Sequence, residues 1–154
     1  MSIRLTPDEA WAFVEGAHTG ILTTLRRDGF PVALPVWFVV LERTVCFTTP
    51  PGGKKVARAR RDPRASFLVE SGRAWTELAA VHLSGRLSVV TDERTVALVG
   101  GLFDAKYAAH RLPDERMPAA ARAVYRDRVT LRLVPDERIL SWDNSRIRLP
   151  AAPA

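Results

Sequence analysis

The residues best placed to do chemistry lie in the run Thr48-Thr-Pro-Pro-Gly-Gly-Lys-Lys-Val-Ala-Arg-Ala-Arg-Arg61. Two hydroxyl side chains, Thr48 and Thr49, come first. Two prolines and two glycines follow, and glycine lets a backbone approach a ligand closely. A short helix is predicted from about Lys54 to Arg61. Asp62-Pro63 ends it, because the residue before a proline disfavours the helical region. On a helical wheel Lys54, Arg58 and Arg61 share one stripe, with Lys55 beside it and Val56 and Ala59 opposite. The first free N–H groups of a helix make an anion site. Exposed cations at that end oppose the helix dipole by roughly 0.3–1 kcal/mol each. Local helix stability therefore does not explain two lysines there, whereas a bound phosphate would offset the cost. A solvated basic face is the plainer reading of such a cluster. The strand–glycine–glycine–helix placement favours anion binding.

No other group competes for the chemistry. His18, His82 and His110 lack metal-ligand spacing, and no protein acid, base or catalytic residue stands out. His82 alternates with Val81 and Leu83 and reads as a barrel or surface histidine. The single cysteine, Cys46, lies in the run Thr44–Thr48 and reads as a buried strand residue. One cysteine can build neither a disulfide framework nor a cysteine zinc site.

Strands and helices must position this segment. Thr6, Pro7 and Glu9 spell a capping box with proline at the first helical position, and Trp11, Phe13, Val14 and Ala17 give that helix its apolar face. Gly16 and Gly20 mark its exit. Ile21–Arg26 and Pro31–Val40 flank an Asp-Gly hairpin turn at Asp28-Gly29. The second of these strands is apolar on both faces, which demands two covers, and a dimer partner is the simplest second one. Pro35 calls for an edge or a bulge. Thr44–Thr49 and Ala65–Glu70 are further strands, and Glu77–Val90 is a long strand with a bulge expected at Gly85. Thr91-Asp92-Glu93 opens a long helix with a buried stripe of Val96, Val99, Leu102, Phe103 and Tyr107. A shorter helix spans Pro118–Tyr125. Arg128–Val134, with Thr130 outward, and Ile139–Trp142 end the strand set. Trp142 reads as a packing residue at the barrel's end.

This order predicts an α+β, mainly β fold with helices in the connections, and a closed or partly closed barrel manages its edges best. With 154 residues, one domain over 1–145 and a tail over 146–154 are expected. A chain of this length buries roughly 70% of its unfolded surface and needs no staple. An apolar fraction of 47% argues against a disordered chain. The longest apolar stretch, Pro31–Leu41, is far short of the roughly 20 residues of a bilayer span. No secretory pattern opens the sequence, so no membrane role and a cytoplasmic location are expected. The net charge of +6 suits an anionic ligand, but the basic helix lacks the interleaved aromatics of nucleic-acid modules, and no nucleic-acid partner is expected.

Several stretches together resemble a known family. They are Gly20-Ile-Leu-Thr-Thr24, Asp28-Gly-Phe-Pro31, Pro35-Val-Trp-Phe38, the basic helix with Arg61-Asp-Pro-Arg-Ala-Ser66, and Leu83-Ser-Gly-Arg86. From about Pro7 to Trp142 the chain is similar to the pyridoxamine 5'-phosphate oxidase-like split β-barrel proteins, in particular their actinobacterial flavin- and deazaflavin-dependent branch. The resemblance implies an FMN-binding split barrel and a homodimer with cofactor sites at the interface. It implies an oxidoreductase that uses reduced deazaflavin coenzyme F-420, the favoured cofactor, or FMN to reduce a small unsaturated organic substrate. The cofactor phosphate would meet Lys55 first, then Lys54, Arg58 and Arg61. The ring would lie near Thr48 and Thr49, walled by Trp37 and Trp75. Relatives that bind the deazaflavin often carry a basic residue where Gly53 stands. The C-terminal arginine/histidine motif of true pyridoxamine-phosphate oxidases is missing, so that substrate is not expected. A non-catalytic flavin- or haem-binding protein is the alternative on this scaffold, and there His82 would matter as a haem ligand.

Overall fold

The computed structural model describes residues 2–150. Seven strands form one antiparallel sheet: β1 (Gly20–Leu25), β2 (Pro31–Val36), β3 (Val39–Leu41), β4 (Thr44–Thr49), β5 (Arg64–Ser71), β6 (Ala79–Val89) and β7 (Val129–Asp143). Their order across the sheet is β2-β1-β5-β6-β7-β4-β3. Helices α1 (Pro7–Gly16), α2 (Lys54–Arg61), α3 (Glu93–Tyr107) and α4 (Ala119–Arg126) occupy the connections. Phe38, Phe47, Phe67, Leu83, Leu87, Leu131 and Leu133 fill the interior of the curled sheet.

The run Pro31–Val40 is not one strand, as the sequence suggests, but two. β2 pairs with β1 at one edge of the sheet, and β3 pairs with β4 at the other. Only Trp37 and Phe38 join them. Three residue steps from Val36 to Val39 reach at most about 11 Å, so the two edges must lie close together. The sheet is therefore a barrel split at this seam. Pro31 and Pro35 lie on the edge strand β2, where one side of the ladder is open. Phe38 is fully buried yet has no strand partner for its backbone. Tyr107, from the last turn of α3, supplies one. Its hydroxyl accepts from the Phe38 N–H at 3.0 Å and can donate to the carbonyl of Phe38 or of His18, each 2.8 Å away.

The helices follow local signals. Thr6 Oγ1 accepts from the Glu9 N–H, the Glu9 carboxylate accepts from the Thr6 N–H at 2.7 Å, and Ala10, Trp11 and Val14 enter the core. Asp92 caps α3, accepting from the Thr95 N–H at 2.8 Å. The α3 stripe is narrower than the sequence suggests. Val99, Phe103 and Tyr107 are buried against Val39 and Cys46, while Val96 and Leu102 face out at 36% and 37% exposure. Leu102 flanks Val99 and Phe103 on the wheel, but β3, the strand that α3 packs on, is only three residues long.

Two expected strands near the end of the chain are one. β7 runs unbroken over fifteen residues, and Pro135 lies opposite Gly85 where the β6–β7 register shifts, Ser84 alone facing Asp136, Glu137 and Arg138. A Cβ on Gly85 would sit 2.1 Å from the Val134 carbonyl oxygen, so this bend requires glycine. The register shift accommodates the residues between Val134 and Ile139 that separate the two expected strands. Thr130, expected outward, is buried, in the stretch of β7 that pairs with Thr48 and Thr49 of β4. The long strand β6 starts at Ala79, and the Trp75–Glu77 segment before it forms a 3-10 turn. Of the expected tail, residues 151–154 lie outside the described residues. Arg146 is tied back, with Nη2 2.9 Å from Glu9 and Nε 3.4 Å from Asp143. No described helix is long and apolar enough to cross a membrane.

Candidate functional site

The segment Thr48–Arg61 forms as its pattern predicts. β4 ends at Thr49, opposite Val129 of β7. The chain reverses tightly, with the Gly53 N–H donating to the Pro50 carbonyl at 2.9 Å. Gly53 then caps α2 without any side-chain acceptor, so no capping side chain covers the helix's first N–H groups. Val56 and Ala59 are buried, which turns the opposite face of α2 outward. Lys54 is exposed there, and Lys55 and Arg58 are half-buried. Among the described residues no carboxylate lies within ion-pair distance of any of the three. A Cβ on Gly53 would meet Pro50 O at 3.0 Å and Thr49 Oγ1 at 3.1 Å. A side chain at this position requires a small shift of the turn.

Arg61 differs from the other cations. Its Nη2 donates to the Leu25 carbonyl at 2.6 Å, which fastens α2 to the end of β1. The next residues complete this joint. Asp62 accepts from the Arg64 N–H at 3.1 Å and from its Nη2 at 2.8 Å, while the Pro63 carbonyl accepts from Leu87 N–H at 2.7 Å. The Arg64 guanidinium and backbone N–H hold the Asp62 carboxyl well below its usual range, at about 2. The Arg-Asp-Pro-Arg motif is thus a brace that sets the angle of α2 on the barrel.

The two tryptophans part company. Val39 pairs with Cys46, so the antiparallel register sets Trp37, two residues before β3, toward the Thr48 end of β4. Trp37 stacks on Tyr107, with ring centroids 4.4 Å apart and planes 5° from parallel, and remains 37% exposed. Trp75 lies in the turn before β6, its carbonyl accepting from Asn144 Nδ2 at 2.7 Å. β6 runs from that turn to Val89, which pairs with Leu131 beside the Thr48–Thr130 rung. Eleven residues of strand therefore separate Trp75 from the α2 turn within one chain. The chain brings together Thr48, Thr49, Lys54, Lys55 and Arg58, with Trp37 toward the same end of β4, and leaves Trp75 apart.

Sequence reading misses Arg128. Its Nη1 donates to Thr48 Oγ1 at 3.2 Å and its guanidinium lies over the Tyr125 ring at 5.7 Å. In the sequence it is simply the first outward residue of an alternating strand. Only the β4–β7 register, across 80 residues, brings it to the site. Lys106 is also tied in, donating to the Phe38 carbonyl at 3.1 Å, and burial pushes its pKa down against the pull of Glu15. Burial raises the Cys46 thiol, which keeps it protonated and inert. His82 sits half-buried in β6 between Leu68 and Leu140. No cluster of three or more potential metal ligands exists among the described residues.

The chain is a split antiparallel barrel that carries a cationic, glycine-capped helix at its rim. The family model for pyridoxamine 5'-phosphate oxidase matches residues 6–138, and the chain belongs to that family. Among solved structures, the conserved hypothetical protein Rv2991 from Mycobacterium tuberculosis is 29% identical, with a TM-score of 0.81 over 99% of this chain and 94% of that one. A FAD-binding protein from Mycobacterium smegmatis is 23% identical, with a TM-score of 0.64 over 89% of this chain and 95% of that one. A haem-binding protein from the same organism is 21% identical, with a TM-score of 0.65 over 92% of this chain and 60% of that one. No curated protein sequence matches the chain.

Proposed function

We propose that the protein is an oxidoreductase that binds a flavin-type cofactor, reduced deazaflavin F-420 in preference to FMN, and reduces a small unsaturated organic substrate. The observation that carries this reading is the α2 turn. Lys54, Lys55 and Arg58 have no acidic partner among the described residues and stand at a helix start that no side chain caps. A phosphate fits that donor set: the N–H groups, the cations and the Thr48 and Thr49 hydroxyls are all donors. Membership of the pyridoxamine 5'-phosphate oxidase family and the named FAD-binding relative of the same fold support a flavin over other anions.

When bound, the cofactor supplies the hydride. The protein's part is to hold and orient it. Lys55, Lys54 and Arg58 take the phosphate, and Thr48 and Thr49 line the path from the phosphate toward the barrel. Trp37 offers a ring face at the seam. The exposed apolar face of β2, with Leu34 at 40% exposure and Phe30 at 63% beside it, is covered by a second copy of the chain. Trp75, remote within one protomer, joins a site only if the partner supplies it.

Fluorescence titration with F-420 and FMN tests the reading. Micromolar or tighter binding of at least one is the expected result. If neither binds below the high micromolar range, the proposal fails. The visible spectrum of the purified protein separates the haem alternative, since a Soret band in place of flavin absorption favours it.

A further inference from the structure

The three histidines stand far apart in the sequence, but two of them meet in the fold. His18 lies between α1 and β1, and His110 closes the 3-10 turn Ala108–His110 at the end of α3. Their ring centroids are 4.6 Å apart and their planes 70° from parallel. His18 also lies edge-on to Tyr107 at 5.3 Å and to Trp37 at 5.9 Å. Both histidines are exposed, and among the described residues no carboxylate lies within ion-pair distance of either. Each stands on a braced backbone. The His18 carbonyl lies 2.8 Å from the buried Tyr107 hydroxyl, and Arg111, next to His110, pairs with Asp104 of α3.

Core packing does not explain two exposed imidazoles. A phenyl ring would lie against Tyr107 as well, whereas a neutral imidazole adds a nitrogen lone pair that can bind a metal. With metal–nitrogen bonds of about 2.0–2.1 Å, two imidazoles cis at about 90° have centroids about 4.5 Å apart, and at a tetrahedral angle about 5.2 Å. The spacing of His18 and His110 matches the cis arrangement. Cis nitrogen ligands in a tetragonal field suit Cu2+, which also heads the affinity order of the divalent first-row metals.

We propose that His18 and His110 form a two-imidazole site for a divalent transition metal, Cu2+ in preference to Zn2+, with water completing the coordination. The bound ion ties the exit of α1 to the end of α3, beside Trp37 at the seam. Neither imidazole belongs to the α2 turn, so the site stands or falls apart from the cofactor reading.

The test titrates CuCl2 and ZnCl2 into the untagged full-length protein by calorimetry, beside His18→Gln, His110→Gln and His82→Gln. Thermal melting checks that each variant is folded. One Cu2+ per chain should bind in the micromolar range, with Zn2+ at least about tenfold weaker. His18→Gln and His110→Gln should each lose at least about tenfold in Cu2+ affinity, and His82→Gln none. Pulsed EPR of the Cu2+-loaded protein should show two coupled imidazoles in wild type and one in each site variant. Absence of Cu2+ binding below the high micromolar range, a single imidazole in wild type, or affinity unchanged in both site variants overturns the site. Zn2+ bound as tightly as Cu2+ overturns the cis geometry and with it the choice of metal.

Discussion

Tyr107 has one hydroxyl and three backbone groups around it. The phenol is fully buried, and burial raises its pKa against the Phe38 hydrogen bond, so it stays a donor. Removing the oxygen leaves the buried Phe38 N–H without its partner. Tyr107→Phe is therefore expected to destabilise the fold by about 1–3 kcal/mol in denaturant titration. A change near zero would mean that water replaces the hydroxyl at the seam. Glu9 makes a second prediction. The Arg146 guanidinium and the Thr6 N–H lower its carboxyl from 4.5 to about 2. A depressed pKa gives stability that is present above the ordinary value and lost as pH falls through the lowered one. Wild type should lose melting temperature between about pH 4.5 and pH 2. Glu9→Gln should lose less across that window and start lower at pH 7. Parallel curves for the two proteins would remove the Glu9–Arg146 pair from the acid response.

At the scale of elements, what was legible in the sequence was local. α1 and α2 carry their own starts, stops and buried faces within a few residues, and the bulge at Gly85 could be anticipated from one glycine in a long strand. The break between β2 and β3 could not. No turn residue marks Trp37-Phe38, since the chain passes from one sheet edge to the other with its backbone satisfied by a tyrosine 69 positions away. The same holds for Arg128, whose role depends on a β4–β7 register that no local pattern encodes. The Arg61-Asp-Pro-Arg64 run was legible as a family mark, but its work as a brace between α2, β1 and β6 became visible only in the fold. Gly85→Ala tests the bulge. Its Cβ would strike the Val134 carbonyl, and a drop in melting temperature of at least several degrees is expected, or loss of soluble protein. An unchanged melting curve would mean that the β6–β7 ladder can shift to admit a methyl group.

For the whole molecule, the decisive question is what covers β2. Its residues alternate little between wet and dry, and Ala33, Leu34 and Pro35 are all exposed in one chain. A strand apolar on both faces is stable in water only if its second face meets something. The proposed second copy would cover this face and would supply Trp75, which lies apart from the α2 turn within one chain. Light scattering should give twice the chain mass for wild type, and Leu34→Glu should shift it toward monomer with loss of cofactor affinity. A monomeric wild type would leave the face to another partner.

Lys55 and its neighbours at the α2 turn are proposed to hold the phosphate of a flavin-type cofactor. The most direct measurement compares FMN with riboflavin, which lacks the phosphate, on wild type and on Lys55→Ala. Wild type should prefer FMN by at least about tenfold, and Lys55→Ala should lose most of that preference with its own melting temperature nearly unchanged. Riboflavin bound as tightly as FMN by the wild type, or a preference untouched in the variant, would rule out a phosphate site at Lys55.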